Sequence, residues 1–279
     1  MKVSIIIVSY NTAELLRDCL ASLQEKVVGV DYEVIVVDNN SSDESVALVR
    51  RHFPSITVVC NCQNAGFARA NNQGYALSRG DYILLLNSDT LIQAKAIERL
   101  VGFMDRHLDV AIVGPKLLNS DGSLQAQCRR RFPKLINSLA YVSGLSRLFP
   151  KSRMLNSYIM EDVDPLRDHE VEAVSGACML VRRKVVDEVG GLLDEAYFMH
   201  FEDIDLCFRC HTRKYGIWYL HDAEVVHLKG QSSKFRRHGV RKDFFDSALI
   251  YLAKNYRAES WIGYIIFSMG VKCVRKIVA

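Results

Sequence analysis

Apolar residues follow two rhythms in the first 113 positions. Near-unbroken runs of valine, isoleucine and leucine occupy residues 3–9, 33–37, 56–60, 82–86 and 110–113. Each is short enough for a strand buried on both faces. Between them, apolar residues recur every three or four positions over 11–23, 43–52, 67–78 and 93–107, the spacing of one helix face. Asn11-Thr-Ala-Glu14 has the form of a capping box opening the first helix. Strand and helix alternate through short connections, which predicts an α/β fold with a mostly parallel central sheet flanked by helices. Right-handed crossovers then place the strands' carboxyl ends along one edge, where such sheets bind ligands.

The rhythm changes after Gly114. Asp121-Gly122 marks a hairpin turn. Residues 129–169 have no period and include Arg129, Arg130 and Arg131, so they read as an irregular segment that covers a site or contacts an acceptor. A strand is expected over 171–182, a helix over 202–215, and short strands over 217–220 and 225–227. The last fifty residues read as helical, best over 243–255 and 261–278. The pattern divides the chain into a domain over 1–230 and a helical extension over 231–279.

Composition adds three constraints. The chain is 49% hydrophobic and 24% charged, ordinary for a globular protein with a substantial core. Of its eight cysteines, five interrupt apolar runs, the pattern of buried thiols in a reducing compartment. No signal-peptide pattern opens the chain, so a cytoplasmic location is expected. Cys207-Phe-Arg-Cys210 and Cys60-Asn-Cys62 have metal-ligand spacing. A zinc knuckle needs a turn between its thiols, whereas Phe208-Arg209 continue a helix, so structural thiols are the favoured reading.

The net charge of +4 is uneven. Residues 229–279 hold 11 Lys and Arg against 3 Asp and Glu. This basic extension suggests a polyanionic partner such as a membrane surface. No nucleic-acid-binding motif accompanies it. Residues 260–271 carry no charge, too short a stretch to span a bilayer. It suits a helix lying in the membrane interface or one packed on the core, and the pattern is the same for both.

Polar clusters stand where apolar strands end: Ser9-Tyr10-Asn11, Asp38-Asn39-Asn40 and Asn87-Ser88-Asp89. Turn chemistry accounts for each separately, but less well for three on one edge. Asp89, delivered by a buried strand, suits a hard-oxygen ligand for Mg²⁺ or Mn²⁺. It equally suits the N-cap of a following helix. Glu202-Asp203-Ile-Asp205 places three carboxylates within four positions. They either favour a helix start or supply a general base for an acceptor hydroxyl. Like charges also raise one member's proton affinity, and spacing does not say which.

Six ordered segments carry a resemblance. They are Ser4-Ile-Ile-Ile-Val-Ser-Tyr-Asn11, Val36-Val-Asp-Asn-Asn-Ser-Ser-Asp43, Asn64-Ala-Gly-Phe-Ala-Arg-Ala-Asn-Asn-Gln-Gly74, Leu84-Leu-Leu-Asn-Ser-Asp-Thr90, Ser175-Gly-Ala-Cys178 and Phe201-Glu-Asp-Ile-Asp-Leu206. Over residues 3–230 the chain resembles glycosyltransferase family 2, in particular rhamnosyltransferase-like members that build bacterial cell-surface polysaccharides.

The resemblance implies a GT-A fold, Mg²⁺ or Mn²⁺, and inversion at the anomeric carbon. It implies a dTDP- or UDP-linked sugar donor, with rhamnose the family-level expectation, and a glycan or lipid-linked acceptor. By position, Asp38 matches the residue that contacts the base, with Ser9, Tyr10 and Asn11 lining the same pocket. Asn64, Gly66 and Arg69 match the segment near the diphosphate. Asn87-Ser88-Asp89 matches the DXD element with Asn in place of its first Asp, leaving Asp89 as the carboxylate ligand. Asp203 matches the catalytic base, with Glu202 beside it, and His227 matches a histidine that joins the metal in some members. A nicotinamide-dependent oxidoreductase or a sugar-1-phosphate nucleotidyltransferase should carry a glycine-rich loop after the first strand, and Ser9-Tyr10-Asn11-Thr12 has no glycine. An inactive sugar- or nucleotide-binding relative is the remaining alternative. Asn87 favours it and Glu202-Asp203 opposes it.

Overall fold

The computed structural model describes residues 1–133, 148, 157–228, 237–256, 261, 264–265 and 268–272. In chain order the elements are β1 (Val3–Ser9), α1 (Ala13–Lys26), β2 (Tyr32–Asp38), α2 (Ser45–His52), β3 (Thr57–Cys60), α3 (Phe67–Leu77), β4 (Tyr82–Asn87), β5 (Thr90–Ile92), α4 (Ala96–Arg106), β6 (Val110–Leu118), β7 (Arg129–Arg130), β8 (His169–Glu170), β9 (Ala173–Val174), β10 (Cys178–Arg182), α5 (Arg183–Glu188), α6 (Glu202–Thr212), β11 (Gly216–His227) and α7 (Arg237–Asn255).

The main sheet runs β3-β2-β1-β4-β10-β6-β11-β5, with β8 paired to β11 and a separate β7-β9 ribbon. β1 is parallel to β2 and β4, β2 to β3, and β6 to β11. β10 is antiparallel to both β4 and β6, and β5 is antiparallel to β11. Ile5, Ile6 and Ile7 in β1 and Leu84, Leu85 and Leu86 in β4 are wholly or almost wholly buried. Consecutive residues of a strand point to opposite faces, so burial of all three requires cover on both sides. Helices α1 and α4 supply apolar faces through Leu16, Leu20 and Leu23 and through Ile97, Leu100 and Met104, and α3 covers the Ile6 side, where a Cβ added at Gly74 would lie 2.5 Å from Ile6 Cγ2. This is the mostly parallel sheet flanked by helices that the chain's rhythm predicts.

Several local expectations are corrected. The expected capping box does not form: Thr12 occupies the N-cap of α1 without a side-chain cap bond. The Ala13 N–H instead donates to Asp43 Oδ2 at 2.9 Å, and Asn11 Oδ1 accepts from Ser42 N at 2.7 Å. Asp89 does not cap a helix, because β5 intervenes before α4 begins at Ala96. The single strand expected over 171–182 is broken into β9 and β10 by the turn at 175–177. Conversely, the two strands expected over 217–227 form one strand, β11, with a register shift between Leu220 and Glu224. Local apolar content cannot register these breaks, which are set by pairing partners distant in sequence.

The hairpin is as read: Gly122 takes φ of 80° and its N–H donates to Asn119 O at 3.0 Å. Cys207 and Cys210 lie on the buried side of α6, whereas Cys60 and Cys62 are exposed around the end of β3. Burial pushes the Cys210 thiol up to about 12, as expected of an inert structural thiol.

Helix α7 packs on the domain. Ser247 Oγ donates to Met199 O at 2.8 Å, Lys254 pairs with Asp194, and the Phe201 ring meets Phe244 and Tyr251. Most of the expected helix over 261–278 lies outside the described residues. Among the described residues no helix is long and apolar enough to cross a membrane.

Candidate active site

The carboxyl ends of β1, β2, β4 and β11 define one rim. β10 runs the other way, so the segment that precedes it, 175–177, also reaches that rim. Two hydrogen bonds tie the distant motifs together there. Asn87 N donates to Ala177 O at 2.9 Å, and Gly176 N donates to Asp203 Oδ2 at 3.0 Å. A Cβ added at Gly176 would lie 3.3 Å from Asp203 Cβ and 3.7 Å from the Phe67 ring. The starts of α3 and α6 therefore meet at this turn, beside the end of β4.

Asp89 and His227 are brought together although 138 positions separate them in the sequence. His227, the last residue of β11, pairs with Thr90 of β5, and Leu228 N donates to Asp89 O at 2.8 Å. His227 Nε2 lies 3.3 Å from Asp89 Oδ1, and the Asn87 amide reaches 3.5 Å from the same nitrogen. Both side chains are nearly buried. A carboxylate oxygen and an imidazole nitrogen sharing one small space form a donor pair that a divalent cation could share. Gln125, which carries no chemical signal in the sequence, places its Oε1 2.9 Å from His227 Nδ1.

Asp38 is buried at the end of β2. Its Oδ2 accepts from Ser41 N at 2.9 Å, while Oδ1 is buried without a partner among the described residues. Leaving such an oxygen unpaired costs roughly 1–3 kcal/mol, so it is poised for a donor from a ligand. Around it, Ser9 Oγ, Thr12 Oγ1 and Ser88 Oγ form a buried hydroxyl chain at 3.1 and 2.9 Å. Asn11, at φ of 53°, donates its N–H to Ser41 Oγ at 2.9 Å. Tyr10 is half-buried beside them. Asn39, the neighbour of Asp38, reaches from β2's end to Gly66 O at 3.1 Å and accepts from Asn61 at 2.9 Å.

Asn64 Oδ1 accepts from Gly66 N at 3.0 Å, shaping the entry to α3. Gly66 takes φ of +84°, and an added Cβ would lie 2.6 Å from Phe198 O. Only glycine fits this backbone without strain. The Phe67 N–H then donates to Phe198 O at 2.7 Å, locking α3 to the segment before α6. Arg69 stands apart, 60% exposed and 4.0 Å from Glu195.

Asp203 makes a buried ion pair with Arg130 at 2.6 Å, and Arg130 also donates to Val174 O at 2.8 Å. The segment expected to be irregular thus supplies a buried strand, β7, and the partner of Asp203. Burial works against the Asp203 charge. The Arg130 guanidinium, with N–H donors from Gly176 and Ile204, outweighs it and holds the carboxyl below its ordinary range. Burial, reinforced by the Asp203 charge, pushes Glu202 up to about 8. The carboxyl with raised proton affinity is therefore Glu202, not Asp203. Asp205 is spoken for by Arg209 at 2.8 Å and Tyr197 at 3.1 Å.

A second group, Asp168, His221 and Asp222, also has metal-binding spacing. Arg99 already pairs with both carboxylates, at 2.8 and 2.6 Å, so a cation there would have to displace an existing positive charge.

A family model described as glycosyl transferase family 2 matches residues 4–190. The N-acetylglucosaminyl-diphospho-decaprenol L-rhamnosyltransferase of Mycobacterium tuberculosis is 28% identical over 243 residues, covering 82% of this chain and 76% of the relative. The low-salt glycan biosynthesis hexosyltransferase Agl10 of Haloferax volcanii is 25% identical over 233 residues, covering 80% and 66%. Among solved structures, the mannosyltransferase PcManGT of Pyrobaculum calidifontis, in complex with GDP-Man and Mn²⁺, is similar with a TM-score of 0.63 and 18% identity, over 98% of this chain and 73% of that one. TarS of Staphylococcus aureus gives a TM-score of 0.62 and 17% identity over 91% of this chain, which spans 39% of the TarS chain. These structural likenesses establish the fold, which is of GT-A type.

Proposed function

The chain belongs to glycosyl transferase family 2, and from that premise we propose that it is an inverting, metal-dependent glycosyltransferase acting on a hydroxyl of a glycan or lipid-linked acceptor. The observation that carries this reading is the shared rim. The Asp89–His227 pair and Asp203 are linked through Asn87, Ala177 and Gly176 by two hydrogen bonds of 2.9 and 3.0 Å.

Asp38 Oδ1 accepts an N–H from the edge of a pyrimidine base, which relieves its buried, unpaired state. Ser9, Tyr10 and Asn11 line that base and its ribose, and Asn64, Gly66 and Ser88 shape the diphosphate's surroundings. Arg69 joins only if its exposed side chain leaves Glu195. Asp89 and His227, with Asn87 alongside, would hold Mg²⁺ or Mn²⁺. When bound, the cation supplies positive charge that neutralises the departing diphosphate.

Asp203 acts as the general base. A base must be ionised before the reaction, and Arg130 keeps Asp203 so. Its Oδ2 is occupied by Arg130 and Gly176, whereas among the described residues Oδ1 accepts only from Ile204 N. Oδ1 is therefore the oxygen with acceptor capacity left to take the hydroxyl proton. The acceptor oxygen attacks the anomeric carbon from the face opposite the nucleotide, and the diphosphate leaves with its electron pair. Glu202, protonated at neutral pH, donates a hydrogen bond to substrate and does not compete as base.

The mycobacterial relative's name specifies rhamnose and a diphospho-decaprenol acceptor, which supports dTDP-rhamnose and a lipid-linked acceptor here. A cytoplasmic enzyme held at the inner membrane face by its basic extension accords with such an acceptor. The deciding assay is a thermal-shift screen of dTDP-, UDP- and GDP-sugars with Mn²⁺, followed by release of nucleotide diphosphate from the stabilising donor. Mn²⁺-dependent turnover is expected. Stabilisation without any turnover, with or without acceptor lipid, would identify a binding relative instead.

A further inference from the structure

We infer that Gln125 is a positioning residue that locks the His227 ring with Nε2 as the ligand atom of the cation site. This rests on the proposed metal role of Asp89 and His227.

The orientation of the Gln125 amide follows from what surrounds it. Its Nε2 lies 2.7 Å from the backbone oxygen of His227 and 3.5 Å from that of Leu118. Carbonyl oxygens only accept, so the amide nitrogen belongs on that side and Oε1 on the other. Oε1 faces His227 Nδ1 at 2.9 Å. An amide oxygen also only accepts, so Nδ1 carries a hydrogen. In the neutral ring the lone pair is then on Nε2, the atom 3.3 Å from Asp89 Oδ1.

In that neutral form two acceptors face each other there, an arrangement that a shared cation resolves. The weak approach of Asn87 Nδ2 to the same nitrogen, at 3.5 Å, fits an accepting Nε2 as well.

Gln125 also grips His227 twice, once at the ring and once at the backbone. The grip is anchored: Gln125 N donates to Leu117 O at 2.8 Å, and the hairpin before it closes through Asn119 N to Ser123 O at 2.8 Å. With Gln125 nearly buried, water does not compete for either bond. A ring held this way loses little rotamer freedom when it binds a metal. Partners of a ligating histidine's other nitrogen typically change metal affinity by roughly 10–100-fold.

The test is Mn²⁺ affinity, measured by electron paramagnetic resonance on the full chain with UDP or dTDP present, for wild type, Gln125→Met, His227→Ala and the double variant. Gln125→Met is expected to weaken Mn²⁺ binding roughly 10–100-fold and to add little in the His227→Ala background. Unchanged affinity in Gln125→Met while His227→Ala loses it would overturn the Gln125 inference alone. Unchanged affinity in His227→Ala would overturn the metal reading beneath it. A second measurement needs no variant: nitrogen chemical shifts of His227 in the metal-free wild type. Hydrogen on Nδ1 is expected, and a neutral ring protonated only on Nε2 would refute the proposal.

Discussion

Asp203 and Arg130 form a buried ion pair at 2.6 Å, while Glu202, the residue immediately before Asp203, keeps a buried oxygen without a hydrogen-bond partner among the described residues. Two neighbouring carboxyls on one helical turn are thereby given opposite protonation preferences. Such divergence is a hallmark of assigned acid–base roles.

Asp203→Asn is expected to lower kcat by about 10²–10⁴-fold, the usual worth of a general base, with nucleotide affinity almost unchanged. Arg130→Met leaves the Asp203 charge buried and unpaired, at a cost of about 3–5 kcal/mol. Adding Asp203→Asn to Arg130→Met should recover part of that stability, because no unpaired charge remains. Denaturant unfolding of the four proteins checks this, and strict additivity would contradict a direct pair.

Glu202 makes the metal-free protein pH-sensitive. Its folded value, about 8, lies above the ordinary carboxyl value of 4.5. Between those limits the folded state holds the proton that the unfolded chain releases, so this group's contribution falls as pH rises from about 4.5 to 8. Glu202→Gln should flatten the slope of stability against pH in that window. Melting temperatures at pH 5, 6, 7 and 8 for both proteins decide the matter.

Chelation with EDTA should abolish turnover, and Mn²⁺ should restore it. Asp89→Asn should reduce the Mn²⁺-dependent part of the donor's thermal stabilisation while leaving the metal-free melting temperature close to wild type. A ligand at 100 times its Kd stabilises by about 2.7 kcal/mol, well within the range of a melting experiment.

Gly66→Ala combines a positive φ with a collision against the Phe198 carbonyl. The backbone conformation, φ 84° with ψ 173°, costs about 1–3 kcal/mol and overpacking about 1–3 kcal/mol more. Both stability and donor affinity should fall, because the same contact fixes the start of α3. Donor titration and denaturant unfolding report the two effects separately.

The residues before α6 include His200 and Phe201 at φ of 72° and 69°, and α7 holds them through Ser247 and the Phe201 ring. Ser247→Ala should cost about 1 kcal/mol and lower kcat with KM for donor little changed. Unchanged kcat would show that α7 only packs on the domain.

The sequence determined most of the sheet, because residues such as Ile5–Ile7 and Leu84–Leu86 are apolar at every position and burial on both faces is their only stable fate. It also marked the strand ends Asp38 and Asp89 and the pair Glu202-Asp203, since polar residues that stop an apolar run must reach the surface or a site. Tertiary structure alone decided the partnerships. Arg130 was one of three consecutive arginines in a segment without period, Gln125 followed a hairpin with no chemical signal, and neither position carries its partner's identity. Which charge faces Asp203, and which amide orients His227, depends on contacts spanning 73 and 102 positions. Hydrogen bonds and ion pairs act over a few ångströms in space and take no account of separation along the chain.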